Sequence, residues 1–107
     1  KAKWRAISGP TTLGAGPNRL VIYPIGGQGD ERMLMVYLPG HRLLYGSSND
    51  LGPQPVTDQS AGTFNLPELV ASAHRNGLKV DDYVAIHTSK VAWSQVERLA
   101  ALAPRAP

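Results

Sequence analysis

The sequence contains no cysteine, no long hydrophobic run and no large excess of one charge. The absence of cysteine excludes disulfide frameworks, cysteine-ligated zinc and iron–sulfur sites, and thiol nucleophiles. Its longest apolar run, residues 33–38, is far shorter than the roughly 20 residues that span a bilayer. No signal-peptide pattern follows the first residues. The sequence therefore predicts a soluble protein with no membrane partner and with the cytoplasm as the default compartment.

The charge balance gives little reason to expect a nucleic-acid partner. The 107 residues include 11 Lys+Arg and 8 Asp+Glu, for a formal net charge of +3. The basic residues are scattered along the chain, and aromatic residues that could stack on bases do not alternate with them. We therefore expect no nucleic-acid binding. The length and the 42% content of hydrophobic residues predict one domain over residues 1–107.

The first half of the chain has the pattern of short strands separated by turns. The turns are rich in Gly, Pro and Asn. Apolar residues lie on both sides of the segment 33–38, which predicts a central strand. The continuous apolar run at residues 20–23 suggests a strand buried on both faces. Residues 46–62 have few apolar positions and predict a long loop. The predicted strands cover residues 4–7, 11–13, 19–25, 33–38 and 42–45.

The second half has the signals of helix, strand and helix. Asn65 is a predicted N-cap, and Gly77 follows the helical pattern as a left-handed stop. Residues 82–86 predict a buried strand that joins the same sheet through a crossover connection. Ser94 and Glu97 have the spacing of a capping box, which predicts that a second helix opens at Ser94.

This order of elements resembles the C-terminal half of the metallo-β-lactamase fold. The resemblance covers roughly residues 4 to 102 and is carried by residues 23–27 (YPIGG), 35–39 (MVYLP), 42–48 (RLLYGSS) and 86–87 (IH), with Trp93 six residues further on. It implies an α/β (α+β) fold: half of an αββα sandwich, with one mostly antiparallel mixed sheet and two helices on one face.

The resemblance also implies a zinc site in the cleft between the two halves of the sandwich, where a metal-bound water hydrolyses an ester, amide or thioester-like bond. This sequence lacks the family's His-x-His-x-Asp-His motif, which belongs to the N-terminal half. It keeps the late histidine as His87, and Asp50 lies two or three residues beyond the usual position of the bridging aspartate. Gln28 stands where a further histidine is usual. The residues expected to line the cleft are Gln28, Asp30, Ser47 and Ser48.

One histidine and one displaced carboxylate do not complete a zinc site. The resemblance therefore implies a chain that is a metal-dependent hydrolase only if another chain or segment supplies the missing ligands, and that binds zinc only then. The alternative is a non-catalytic binding or assembly module. In that case His87 is an imidazole at a strand end, hydrogen-bonded to neighbouring backbone or to Thr88.

The predicted layers leave one face of the sheet without a cover. The central strand is apolar on both faces, whereas two helices cover one face. Large exposed apolar patches are rare on monomeric proteins. The sequence therefore predicts a homodimer, or a complex with a complementary N-terminal half, formed through the uncovered face.

Overall fold

The computed structural model describes residues 10–25, 33–46, 51–52, 56–58, 60 and 66–102. The predicted strand over residues 4–7 lies outside the described residues. A short 3-10 helix, Gly16–Asn18, separates the first two strands. The main elements are β1 (Thr11–Leu13), β2 (Leu20–Ile25), β3 (Met33–Leu38), β4 (Leu43–Tyr45), α1 (Leu66–Arg75), β5 (Asp82–Ala85), β6 (Thr88–Ala92) and α2 (Trp93–Leu102).

The six strands form one sheet in the order of the sequence, from β1 to β6. All neighbouring strands are antiparallel except β4 and β5, which are parallel and are separated in the sequence by α1. This confirms the predicted α+β class with one mostly antiparallel mixed sheet and two helices. Neither helix is long and apolar enough to cross a bilayer in the part of the chain that the structure describes.

The strand β6 was not predicted from the sequence. The sequence predicts one strand over residues 82–86. In the structure β5 ends at Ala85, and a turn at Ile86 and His87 leads into β6. In β6 the apolar alternation is weak, because Val91 is its one large apolar residue that is buried. β6 is also an edge strand, where hydrophobic patterning is least demanding.

The predicted capping box at Ser94 and Glu97 is wrong. α2 begins at Trp93, directly after β6, so Ser94 lies inside the first helical turn. The backbone N–H of Trp93 donates to the carbonyl of Asp81 at 2.9 Å, which fixes the start of the helix. Glu97 lies 2.7 Å from His74 Nε2 on α1. The Glu97 carboxylate is therefore engaged with the other helix.

The predicted end of the first helix is confirmed. Gly77 has a φ of +65°, in the left-handed region where a side chain is unfavourable. Its N–H donates to the carbonyl of His74 at 3.0 Å, and the N–H of Leu78 donates to the carbonyl of Ala73 at 3.0 Å. This pair of bonds is the Schellman arrangement, which satisfies the last carbonyls of a helix.

The helices pack on one face of the sheet, which we call the covered face. Side chains of paired residues lie on the same face, so the register places Met35, Tyr37, Leu44, Tyr83 and Val91 together. All five are buried, and they join buried residues of both helices in one core. Against this layer α1 and α2 also contact each other. The two predicted helices therefore lie on one face.

The opposite face of the sheet, which we call the open face, is apolar and only partly buried. One row across it consists of Ile22, Val36, Tyr45 and Val84, all of which are half-buried. The prediction that the run at residues 20–23 is buried on both faces is therefore wrong: Leu20 and Ile22 lie half-buried on the open face, because no helix covers this face in the described part of the chain. The other apolar residues on the open face are Leu13, Leu20, Pro24, Leu34, Leu38 and Leu43.

Candidate functional site

Three strands end at the same edge of the sheet, which we call the loop edge and define by Ile25, Tyr45 and Ala85. β2 and β4 run in the same direction because each is antiparallel to β3, and β5 is parallel to β4. The segments that follow these strands contain all the residues predicted to line the cleft. Functional residues in sheet proteins often lie in loops that follow strand ends at one edge. The topology therefore brings the starts of these segments to one edge.

Of the predicted site residues, the structure describes His87. It lies in the turn between β5 and β6, and its side chain is exposed. Asp50 and the four residues predicted to line the cleft, Gln28, Asp30, Ser47 and Ser48, lie outside the described residues. The structure therefore places one predicted ligand at the loop edge.

A buried hydrogen bond holds the loop edge together beside His87. The N–H of Leu51 donates to Thr88 Oγ1 at 2.8 Å, and Thr88 is only 2% exposed. The hydroxyl of Ser60 donates to the carbonyl of Leu51 at 3.0 Å. Leu51 directly follows Asp50 in the sequence, and Thr88 directly follows His87. The two residues that come after the predicted ligands are thus joined by a bond with low solvent access, where a hydrogen bond contributes most to order.

Gly46 holds the other end of the segment 47–50. Its N–H donates to the carbonyl of Val84 at 3.0 Å, which continues the parallel pairing of β4 and β5 by one residue. A Cβ atom at this position would overlap the hydroxyl of Tyr83. Tyr83 is fully buried and packs against Trp93, with 6.1 Å between the ring centroids. Only glycine lets the chain leave β4 so close to this aromatic pair.

The described part of the loop edge does not form a metal site by itself. Among the described residues, no group of three or more His, Asp or Glu side chains lies close enough together to hold an ion. An exposed imidazole such as His87 can donate or accept a proton, or provide one ligand, but zinc in proteins takes three or four ligands. The described residues therefore do not fit a zinc site without ligands from elsewhere.

Sequence reasoning missed the bond between Leu51 and Thr88. Thr88 lies between two polar residues in the sequence, and this pattern does not distinguish a buried threonine from an exposed one. One signal was present: Leu51 is an isolated large apolar residue in a polar segment, and it is buried with the core at 6% exposure. An apolar residue alone in a loop often marks the point where the loop returns to the core.

Comparison with protein-family models finds no match for this chain. A search of curated protein sequences likewise finds no match.

Proposed function

We propose that this chain is an assembly domain that packs its open face against a second copy of itself, with the loop edge beside the interface. The observation that carries the proposal is the continuous apolar surface of the open face. It extends from β1 to β5, and Leu13 and Leu34 on it are 42% and 39% exposed. Strands are about 4.8 Å apart and rise about 3.3 Å per residue, so this surface covers on the order of 300–400 Å². The largest apolar patch on a monomeric protein is commonly about this size and is often functional.

The charged residues of the sheet favour this assembly because they lie at one side of the open face. Lys90 Nζ lies 3.8 Å from Asp82 Oδ2, at the border formed by β5 and β6. The rows from β2 to β4 contain no charged residue within the described strands. An apolar centre with a polar border is the usual composition of a protein interface. Two copies related by a two-fold axis would place these centres against each other.

The proposal includes a hydrolytic role only for the chain assembled with a second half. The resemblance to metallo-β-lactamases implies a zinc site between two halves, whereas this chain contributes His87 and, outside the described residues, Asp50. The described residues do not hold zinc by themselves, so we derive no catalytic step for them. In the assembled form, a second half would have to supply the remaining ligands. Without that contribution, the domain acts in binding or assembly.

Sedimentation of the purified chain tests the proposal. We expect a weak, reversible dimer with a dissociation constant in the micromolar range or above, because two such faces bury about 600–800 Å² in total, less than a standard specific interface. In Val36→Thr, a hydroxyl replaces a methyl group at the centre of the open face with little change in shape. Since the change occurs twice in a symmetric dimer, we expect association to weaken roughly tenfold.

Val80→Thr is the matched control, because Val80 is half-buried against the core and lies outside the open face. It should leave association unchanged. A monomer that binds a hydrophobic dye would show that the open face needs a different polypeptide, such as a complementary N-terminal half, and would overturn the second copy as its partner. A monomer without dye binding would overturn the assembly role altogether.

A further inference from the structure

A cleft of about 450 Å³ lies at the end of the sheet opposite the loop edge. Val21, Tyr23 and Tyr37 line it from the covered face; Tyr37 is buried in the core, and Tyr23 is half-buried against it. One wall is the turn after α1, which includes Leu78. The cleft is therefore distinct from the loop edge in position, and its lining from the covered face is apolar and aromatic.

Three cationic side chains line this cleft, and no acidic side chain lines it. Arg19 comes before β2, Arg42 before β4 and Lys79 before β5, so the chain brings them together from three separate segments. One carboxylate pairs with a cation of the cleft: Asp81 Oδ2 lies 3.1 Å from Arg42 Nε. With that carboxylate included, the side chains around the cleft have a net charge of +2. Within the described part of the chain, Lys79 makes no salt bridge.

The C-terminal end of α1 lies beside the cleft, and three of its last carbonyls accept hydrogen bonds from the turn that follows. A helix C-terminus carries a partial negative charge on its free carbonyls. Here the carbonyl of Ser72 accepts from the N–H of Asn76 at 3.1 Å and from its side-chain amide at 2.8 Å. The next two carbonyls accept from Gly77 and Leu78. The cations of the cleft are therefore not engaged as caps of this helix.

Two features hold the backbone at Lys79 and Arg42 in position. The hydroxyl of Tyr37 donates to the carbonyl of Lys79 at 2.6 Å, which ties the segment before β5 to the central strand. Arg42 has a φ of +49°, a conformation that costs a non-glycine residue about 1–2 kcal/mol. Its carbonyl accepts from the N–H of Asp81 at 2.8 Å and from that of Asp82 at 3.3 Å. Strained residues that their surroundings hold in place are enriched at binding sites.

We propose that this cleft binds a phosphate monoester attached to an aromatic or other flat apolar group. A phosphate monoester carries a charge of about −1.5 to −2 at neutral pH, which matches the net charge around the cleft. Arginine binds phosphate oxygens through two parallel N–H bonds, and Lys79 adds a third donor group. The half-buried Tyr23, with Val21 and Leu78 beside it, offers apolar surface to a flat body. Burial raises the pKa of Tyr23 above its usual range, with Tyr37 as a second cause.

Titration with phenyl phosphate, followed by amide NMR shifts, tests this proposal. We expect saturable shifts at Arg19, Arg42 and Lys79, and binding at least about fivefold tighter than that of inorganic phosphate or phenol, because neither of these fills both parts of the cleft. Equal affinity for inorganic phosphate would overturn the proposal, since it would show a general anion effect only. An absence of saturable shifts at these residues would overturn it as well.

Two variants separate binding from folding. Arg42→Gly removes a cation from a position whose backbone glycine adopts readily, so the fold is expected to remain while phenyl phosphate binds about fivefold more weakly. Lys79→Gln is expected to weaken binding to a similar degree. Lys90→Gln removes the same charge from β6, outside the cleft, and should leave affinity unchanged. If Lys79→Gln and Lys90→Gln have the same effect, the cleft is not the binding site.

Discussion

The close approach of Tyr83 to the backbone restricts position 46 to glycine. The N–H of Gly46 bonds to β5, and the Tyr83 hydroxyl occupies the place of its missing Cβ. A side chain here would force either the backbone of β4 or a fully buried aromatic ring to move. Neither shift is easy in an interior packed as densely as an organic crystal.

We expect Gly46→Ala to lower the free energy of unfolding by about 2–3 kcal/mol, as in other overpacked cores. Urea unfolding measures this value. Combining it with Tyr83→Phe, which removes the overlapping hydroxyl, should cost less than the sum of the two single changes. Simple additivity in this double-mutant cycle would contradict the close approach.

The pKa of Tyr23 leads to a second prediction at this scale. Burial raises the pKa of Tyr23 in the folded chain above its value of 10.0 in the unfolded chain, with Tyr37 as a further cause. The unfolded state therefore loses this proton first as the pH rises. Stability is intact below about pH 10 and falls as the pH increases through the folded pKa. Tyr23→Phe should make urea unfolding less pH-dependent between about pH 9.5 and 11, and an unchanged pH dependence would contradict this assignment.

At the scale of elements, two neighbouring residues of β3 differ in how deeply they are buried. Met35 is fully buried on the covered face, whereas Val36 lies half-buried on the open face. The sequence pattern does not distinguish these two residues, because both faces of this strand are apolar. The apolar pattern of a strand indicates which side chains can be buried. Whether they are buried depends on the helices or strands that pack on that face of the sheet.

We expect Met35→Ala to cost about 2–5 kcal/mol, the usual range for a large core residue. Val36→Ala should cost about 1 kcal/mol in the monomer, because part of its surface already faces solvent. Chemical denaturation at low protein concentration compares the two variants. Similar losses at both sites would indicate that the open face is covered in the free chain.

The turn after α1 gives a second prediction at this scale. Gly77 ends the helix at a φ of +65°, and a Cβ placed there would meet no neighbouring atom. The cost of Gly77→Ala should therefore come from the backbone alone and amount to about 1 kcal/mol. Gly77→Asn should cost less, because asparagine tolerates this conformation better. Equal midpoints of thermal unfolding for these two variants would contradict that explanation.

The elements predicted correctly are those whose signals are local. β3 follows from its apolar run, and the end of α1 follows from Gly77. β6 was missed because Val91 alone faces the core, and the expected helix start at Ser94 was wrong because Trp93 bonds to Asp81 in a distant part of the sequence. The candidate site could be predicted only in part, for the same reason. His87 could be singled out as a residue, whereas the joining of Arg19, Arg42 and Lys79 depends on strand pairing, which no local pattern records.

At the scale of the whole molecule, the chain is expected to bind zinc only weakly on its own. His87 is exposed, and the described residues near it provide no further ligand set. Equilibrium dialysis should therefore leave less than one zinc per chain. His87→Ala should remove what little is bound, while His41→Ala, at the opposite end of the sheet, serves as the control. Stoichiometric zinc that survives dialysis and disappears in His87→Ala would restore a metal site formed by this chain alone.

The parallel pairing of β4 and β5 is only three residues long, from Leu43–Tyr45 to Asp82–Val84. On one side of this parallel pair, β1 to β4 form a series of neighbouring antiparallel pairs. On the other side, β5, β6 and α2 follow one another in the sequence. Neighbouring contacts within each side are mostly local, whereas the two sides share one core, because both helices pack on residues such as Met35 and Leu44 across the seam. Joining the two sides therefore closes a long loop. A chain cut between residues 52 and 66 should therefore reassemble from its two fragments, with Leu44 and Tyr83 meeting at the seam.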